Sequence, residues 1–98
     1  MNAIETINKA LTVAEQRESE NSSLSMYSSI VEQLKYLSNY INGKDTNRTK
    51  LSELTFGIYA AKELEETDPE FAKILSKAFY VATQKSKGLK VNESILNE

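Results

Sequence analysis

The chain has 98 residues and a formal net charge of −2, so one domain with a single modest core is expected. Hydrophobic residues make up 40% of the chain and charged residues 27%, which is typical of a globular protein and not of a disordered one. The chain is mildly acidic and has no run of Lys or Arg, so nucleic acid is not an expected partner. It has no cysteine, which excludes disulfides and thiolate metal sites.

The sequence also argues against membrane insertion and export. No apolar run approaches the roughly 20 residues that a membrane span needs. The N-terminal stretch MNAIETINKALTVAEQ places Glu5, Lys9 and Glu15 among its apolar positions, so it is not expected to be a signal peptide. We therefore expect a cytoplasmic protein that does not bind membranes.

Hydrophobic residues at helical spacing predict four helices. In chain order these cover about 2–17, about 24–41, about 49–66, and a fourth segment that begins at residue 69. The connections RESENSS and NGKDTN are polar and typical of loops. The expected fold is therefore all-α, a compact antiparallel bundle of four helices. We expect residues 1–91 to form one helical domain and residues 92–98 to form a loosely ordered C-terminal tail.

The third and fourth predicted helices have distinct signals. The third carries its inward stripe at Leu51, Leu54, Ile58 and Ala61. The fourth begins with Asp68 as the capping residue and Pro69 at the first helical position, which has no N–H to leave unpaired. Gly88 is placed to end that helix in the left-handed conformation.

Between these two helices the stretch KELEETDPEF packs five carboxylates into eight positions, at Glu63, Glu65, Glu66, Asp68 and Glu70. The chain has no histidine and no cysteine, which removes the commonest general base and the best nucleophile, and it has no glycine-rich phosphate loop. An enzyme is therefore not expected. Metal is not expected either, because Glu-x-x-His pairs and calcium-loop spacing are missing, and the chain needs no cofactor.

Two explanations of the acidic run remain open. Asp68 and Glu70 lie at the start of the fourth helix, where negative charge interacts favourably with the helix dipole. That explanation does not cover Glu63, Glu65 and Glu66, which crowd the end of the third helix, where negative charge is disfavoured. The run is therefore either two helix ends that meet or a surface for a partner.

Several aromatic residues lie off the predicted inward stripes. Tyr36 and Tyr40 are offset on the second helix, Phe56 and Tyr59 on the third, and Tyr80 on the fourth. Tyrosines are favoured at protein interfaces, but they also cover grooves between helices, and an aromatic such as Phe56 fits a helix that is central in the bundle. Gly57 is expected to let a neighbouring helix approach closely.

Three stretches carry a resemblance to a known family. They are QLKYL at 33–37, LSELTFGIYAAKELEETDPEF at 51–71 and AFYVATQKSKGLKV at 78–91. In their order and spacing they resemble the small α-helical immunity proteins that protect bacteria from NAD(P)+ glycohydrolase toxins delivered by type VI secretion. The resemblance implies a cytoplasmic protein that binds the toxin domain of its cognate effector, blocks access to the dinucleotide and catalyses nothing.

That resemblance suggests a use for the acidic run. A pocket that binds NAD(P)+ must offer positive charge or amide donors to the pyrophosphate, and carboxylates on a rigid corner can compete for those donors. The predicted toxin-binding residues are Tyr36, Tyr59, Glu63, Glu66, Asp68 and Glu70. The alternative function is a helical adaptor or structural subunit that uses its tyrosines to organise a larger complex. A homodimer through Tyr36 and Tyr40 is a further partner that the sequence allows.

Overall fold

Helices are the only regular secondary structure in the computed structural model, which describes residues 1–98. In chain order the elements are α1 (Ala3–Glu20), α2 (Ser25–Ile41), α3 (Arg48–Leu51), α4 (Phe56–Tyr59), a π-helix (Ala60–Leu64), α5 (Pro69–Ser86) and α6 (Glu93–Leu96). The all-α prediction is confirmed. Three long helices, α1, α2 and α5, and the shorter continuous segment of α4 and the π-helix form the bundle. None of the helices is long and apolar enough to cross a membrane.

The N-terminal half is a hairpin of two long helices. α1 begins with a capping box, in which the Asn2 side chain accepts from the Glu5 amide at 2.9 Å and the Glu5 side chain accepts from the Asn2 amide at 3.0 Å. α2 buries the stripe that its spacing predicts, which includes Leu34 and Leu37. Because only residues 21–24 connect the two helices, they run antiparallel and pack along their lengths.

The prediction of one unbroken helix over 49–66 is wrong. α3 ends after Leu51, and the helix restarts at Phe56. In a continuous helix these two residues would point about 140° apart, whereas the break allows both to be almost fully buried. The Gln33 side chain on α2 holds the restart in place: its Oε1 accepts from the Thr55 and Phe56 amides at 2.7 and 2.9 Å.

The restart also changes which face of this segment lies inward. The core-facing residues are Phe56, Ala60 and Leu64, each no more than 1% exposed. Ile58, predicted to lie in the core, is instead 51% exposed, and Ala61 is exposed as well. The predicted stripe failed because it assumed a single helical phase from residue 51 to residue 61.

α5 begins and ends where its sequence signals place it. Asp68 caps it by accepting from the Phe71 amide at 3.3 Å, and Pro69 occupies its first turn. Gly88, with φ of 71°, follows the last turn in the left-handed conformation. α5 supplies central core residues, among them Phe71 and Leu75, neither of which has exposed surface.

The C-terminal residues, expected to form a loose tail, contain the short helix α6. Leu96 on this helix is 1% exposed and belongs to the core. The Asn97 side chain accepts from the N-terminal ammonium group and donates to the Met1 carbonyl. Lys77 on α5 donates to the Glu98 carbonyl at 2.9 Å. These contacts place both chain ends side by side on the bundle.

The surroundings of Gly57 confirm the prediction that a neighbouring helix, here α5, approaches closely at this residue. A Cβ built on this residue would lie 2.5 Å from the ring of Phe79 on α5, so only glycine allows α4 to sit at this distance. Phe79 in turn packs edge-on against Phe56, with ring centroids 5.2 Å apart. The position of α4 therefore depends on an interlocked group of two rings and one glycine.

We expect the substitution Gly57→Ala to lower the free energy of unfolding. Overpacking costs of about 1–3 kcal/mol are opposed by a gain of about 1 kcal/mol in helix propensity, so a net loss of up to about 2 kcal/mol should remain. Urea unfolding measures it. The loss should shrink when Phe79→Leu is already present, because the smaller side chain can yield. An equal loss in both backgrounds would show that contact with this ring is not the cause.

Candidate functional site

The five carboxylates at residues 63–70, named here the acidic corner, lie where the π-helix turns into α5. Glu63 is on the π-helix itself, Glu65 and Glu66 are in the following turn, and Asp68 and Glu70 begin α5. π-helical turns are rare and are frequently found at functional sites. No pattern of residues in the sequence predicts the π-helical turn at Ala60–Leu64, and the sequence analysis does not include it.

Backbone carbonyls at and beside the acidic corner accept hydrogen bonds from donors within the fold. The Thr67 hydroxyl donates to the Glu63 carbonyl at 3.0 Å, and the Asp68 amide donates to the Leu64 carbonyl at 2.8 Å. Free carbonyls at a helix end are the negative end of its dipole. Their hydrogen bonds reduce the repulsion that the nearby carboxylates would otherwise face.

Asp68 is tied into the fold by the only salt bridge in the protein. Arg17 on α1 donates from Nε to its Oδ2 at 2.7 Å, while its Oδ1 caps α5 at the Phe71 amide. The hydrogen bond from Arg17, helped by the one from Phe71, lowers the pKa of Asp68 below its ordinary value. The same hydrogen bond raises the pKa of Arg17. Both oxygens of this carboxylate therefore have partners inside the chain.

The other four carboxylates are exposed and have no partner. Glu63, Glu65, Glu66 and Glu70 all lie at the surface, and none forms a salt bridge. Glu63 and Glu66 are brought together on the rim of one shallow depression, which Ala61, Lys62, Glu65 and Thr67 also line. The corner thus presents several unpaired negative charges on a backbone that is fixed on both sides.

The two predicted tyrosines are placed differently. Tyr59 is partly buried against the core, one turn before Glu63 on the same helical segment. Tyr36 lies on α2 and makes its contacts with the connection that follows this helix. Its hydroxyl donates to the Asn47 carbonyl at 2.7 Å and lies 3.3 Å from Asp45 Oδ1, and Lys50 Nζ stands 4.5 Å from its ring centre.

These surroundings separate Tyr36 from the acidic corner. Burial, followed by the nearby Asp45 carboxylate, raises its pKa. The depression that it lines contains Gln33, Lys50 and Leu54 and shares no residue with the one between Glu63 and Glu66. The structure therefore brings Tyr59 beside the acids and leaves Tyr36 on another part of the surface.

The geometry of the acidic corner suits binding better than chemistry or metal capture. No group of three or more carboxylates in the protein converges as a metal site would require. The pKa of Asp68 is lowered by a salt bridge and a helix cap, which are structural contacts. What remains is a charged, rigid surface that can attract a basic partner.

Comparisons with known proteins place this surface in a family context. The family model described as Tsi6 matches residues 2–84. The immune protein Tsi6 of Pseudomonas aeruginosa is 35% identical over 92 residues, which cover 94% of this chain and 98% of that protein. Among solved structures, that of Tse6 in complex with Tsi6 contains a chain that matches with a TM-score of 0.89, at 35% identity over 94% of this chain and 98% of that one. The structure of Tsi6 from Pseudomonas aeruginosa matches with a TM-score of 0.82, at 35% identity over 94% of this chain and 96% of that one.

The Arg17–Asp68 contact generates a prediction on pH. The folded-state pKa of Asp68 is lowered, so its contribution to stability is complete above the ordinary value of 3.8 and is lost as the pH falls through the lower folded value. Asp68→Asn keeps a good helix cap but removes the charge. At pH 7 it should reduce the free energy of unfolding by up to about 1 kcal/mol.

Chemical denaturation between pH 7 and pH 2 tests this expectation. The gap between the unsubstituted protein and Asp68→Asn should close as the pH falls below about 4. Glu65→Gln, which removes an exposed carboxylate with no salt bridge, serves as the control and should show little difference at any pH. A gap for Asp68→Asn that stays constant down to pH 2 would contradict the role assigned to the charge.

Proposed function

The chain belongs to the Tsi6 family, and from this membership we propose that it is an immunity protein, which binds a cognate antibacterial toxin domain and occludes its active site. The observation that carries the proposal is the 35% identity to the immune protein Tsi6 over nearly the whole of both chains. The match to the chain solved in complex with Tse6 supports a protein partner. In this role the protein catalyses no reaction and needs no cofactor.

The toxin in this proposal is an NAD(P)+ glycohydrolase, and the compartment is the cytoplasm of the producing cell. Support for the toxin class comes from the three sequence stretches that resemble immunity proteins of such toxins, including the whole of 51–71. A cytoplasmic position follows from the role, because a toxin of this class consumes a cytoplasmic dinucleotide. In this proposal the protein neutralises the toxin by covering the toxin's active site, so that the dinucleotide cannot enter.

The acidic corner supplies the mechanism that we propose. A site for the pyrophosphate of NAD(P)+ presents positive charge or backbone amides. The exposed, unpaired carboxylates of Glu63, Glu66 and Glu70 can take those donors in place of the pyrophosphate. Their charge also accelerates association with a basic cleft.

The other predicted toxin-binding residues, Tyr59, Asp68 and Tyr36, differ in what this proposal assigns to them. Tyr59, one turn before Glu63, is the aromatic neighbour of these acids. Asp68 contributes by fixing the start of α5, since both of its oxygens are already bonded. Tyr36 is not assigned to this surface, because it lies on another part of the molecule and its hydroxyl and ring already have partners among residues 45–50.

The alternative of a helical adaptor or a homodimer has less support. It depends on tyrosines that are free to contact another molecule. Tyr36 is hydrogen-bonded within the chain, Tyr40 packs against the core, and the Tyr80 hydroxyl accepts from the Asn92 amide at 3.0 Å. The proposed toxin-binding function relies instead on exposed carboxylates that form no salt bridge within the chain.

The direct test measures NAD+ consumption by the toxin domain encoded beside the gene for this chain, with and without an equal concentration of the protein. We expect consumption to stop and a one-to-one complex to elute from a sizing column. Binding and protection of cells without any loss of NAD+ in the toxin-only reaction would retain the immunity role and reject the glycohydrolase class. No binding to a genuine neighbouring toxin would reject the immunity role.

Within this proposal, replacing Glu63 and Glu66 together by alanine should weaken toxin binding. The association rate should fall by about tenfold at low salt, with a smaller effect at high salt, because surface charges act through steering. Helicity and melting temperature should stay nearly unchanged, since neither side chain forms a salt bridge. Stopped-flow or surface-based binding kinetics measure the rates.

A matched control removes the same charge elsewhere. The double substitution Glu15→Ala, Glu32→Ala takes two exposed carboxylates from α1 and α2, outside the acidic corner. It should change the association rate much less. If both double variants slow association equally, net charge and not the acidic corner is responsible.

A further inference from the structure

Ile58 is an exposed aliphatic residue that the fold does not explain. It is 51% exposed and is not among the residues that pack against the core. The other large exposed apolar residues lie at chain or helix ends: Met1, Ile4, Leu24 and Leu89. Ile58 lies in the first turn of the continuous helical segment 56–64, which packs against α5, and a polar residue at this exposed position would serve the monomer better.

The structure holds Ile58 outward. Phe56, two residues earlier, has no exposed surface and packs edge-on against Phe79. Gly57 brings its backbone against the same Phe79 ring, and Gln33 fixes the amides at the start of the helix. Turning Ile58 inward would require Phe56 to leave the core. The isoleucine side chain is also restricted at χ1, so little conformational entropy is lost when it is covered.

A second exposed apolar residue, which is small, lies near Ile58 on the same helical segment. Ala61, nearly one turn further on, is also exposed. It borders two shallow depressions. One is lined with Glu63, Glu66 and Lys62. The other runs along α5 beside Pro69, Ala72 and Lys73, so that acids are in excess over lysines around the pair. An apolar strip edged by charged residues is the usual appearance of a protein interaction surface.

We propose that Ile58, together with Ala61, is the apolar anchor of the toxin interface, and that it inserts into an apolar hollow on the toxin bordered by lysines, arginines or free amides. The inference rests on the proposed function and adds its central contact. The partner's chemistry follows from complementarity: the strip needs an apolar surface, and the adjoining unpaired carboxylates need basic or amide donors.

The same charges argue against two other occupants of the strip. A second copy of this chain, packed through the same face, would bring the same excess of acid, Glu63, Glu65 and Glu66 against Lys62 and Lys73, which is unfavourable. The anionic surface of a membrane would likewise repel them. A basic protein partner is the occupant that satisfies both the apolar strip and its acidic border.

The two kinds of contact should affect different rates. Exposed carboxylates at the edge of an interface act mainly on association and on its salt dependence. A central apolar anchor acts on dissociation, because its burial is lost only when the complex separates. Ile58→Ala should therefore raise the dissociation rate from the toxin domain about tenfold or more, with little change in the association rate.

The experiment measures both rates for the toxin domain encoded beside this chain's gene, at two salt concentrations. Leu89→Ala is the matched control, because Leu89 is also 51% exposed but lies beyond the far end of α5. Ile58→Val serves as the conservative variant and should dissociate nearly as slowly as the unsubstituted protein. Melting curves establish that each variant is folded.

The outcomes separate this inference from the function on which it rests. Faster dissociation for Ile58→Ala but not for Leu89→Ala supports the anchor. Tight binding by the unsubstituted protein, with Ile58→Ala unchanged or no worse than Leu89→Ala, overturns the anchor and leaves the immunity role in place. Failure of the unsubstituted protein to bind overturns both.

Discussion

The capping of α4 by the Gln33 side chain is the constraint on which the surface of this protein depends. This one side chain on α2 accepts from the Thr55 and Phe56 amides. It thereby fixes where α4 begins, so that the side chains of α4 point in directions different from those that a continuation of α3 would give. Phe56 then enters the core, and every later residue up to the acidic corner takes its direction from that choice. The outward positions of Ile58 and Glu63 are consequences of this contact and of the close approach at Gly57.

Charge is distributed in the protein so that one carboxylate stabilises the fold and the rest remain free. The single salt bridge, between Arg17 and Asp68, joins α1 to the start of α5. Beside it, Glu63, Glu66 and Glu70 are exposed and form no salt bridge with a lysine or arginine. Surface ion pairs contribute little to stability, so leaving these acids unpaired costs the fold little and makes their charge available to a partner.

The sequence predicts the parts of this fold that depend on local signals. Asp68, Pro69 and Gly88 mark the ends of α5 because capping and backbone conformation are decided within a few residues. The break after α3 has no such signal: no proline or glycine lies between Leu51 and Phe56, and its stabilising partner is 22 residues away. The acidic run could be found from the sequence alone, but the partner of Asp68 lies 51 residues earlier, and no local signal around Arg17 indicates the contact. The exposure of Ile58 could not be predicted either, because it follows from the break.

The residues of the proposed interface and the residues that hold the backbone beneath it are different. Gln33, Gly57 and Asp68 are bonded or packed within the chain, so substitutions there alter the fold. Ile58, Glu63 and Glu66 are exposed and make no side-chain bond within the chain. Substitutions at such positions usually change stability by no more than about 0.5 kcal/mol. A rigid frame that carries such exposed contacts can therefore change its proposed interface without refolding, with association adjusted through the proposed acids and residence time through the proposed apolar anchor.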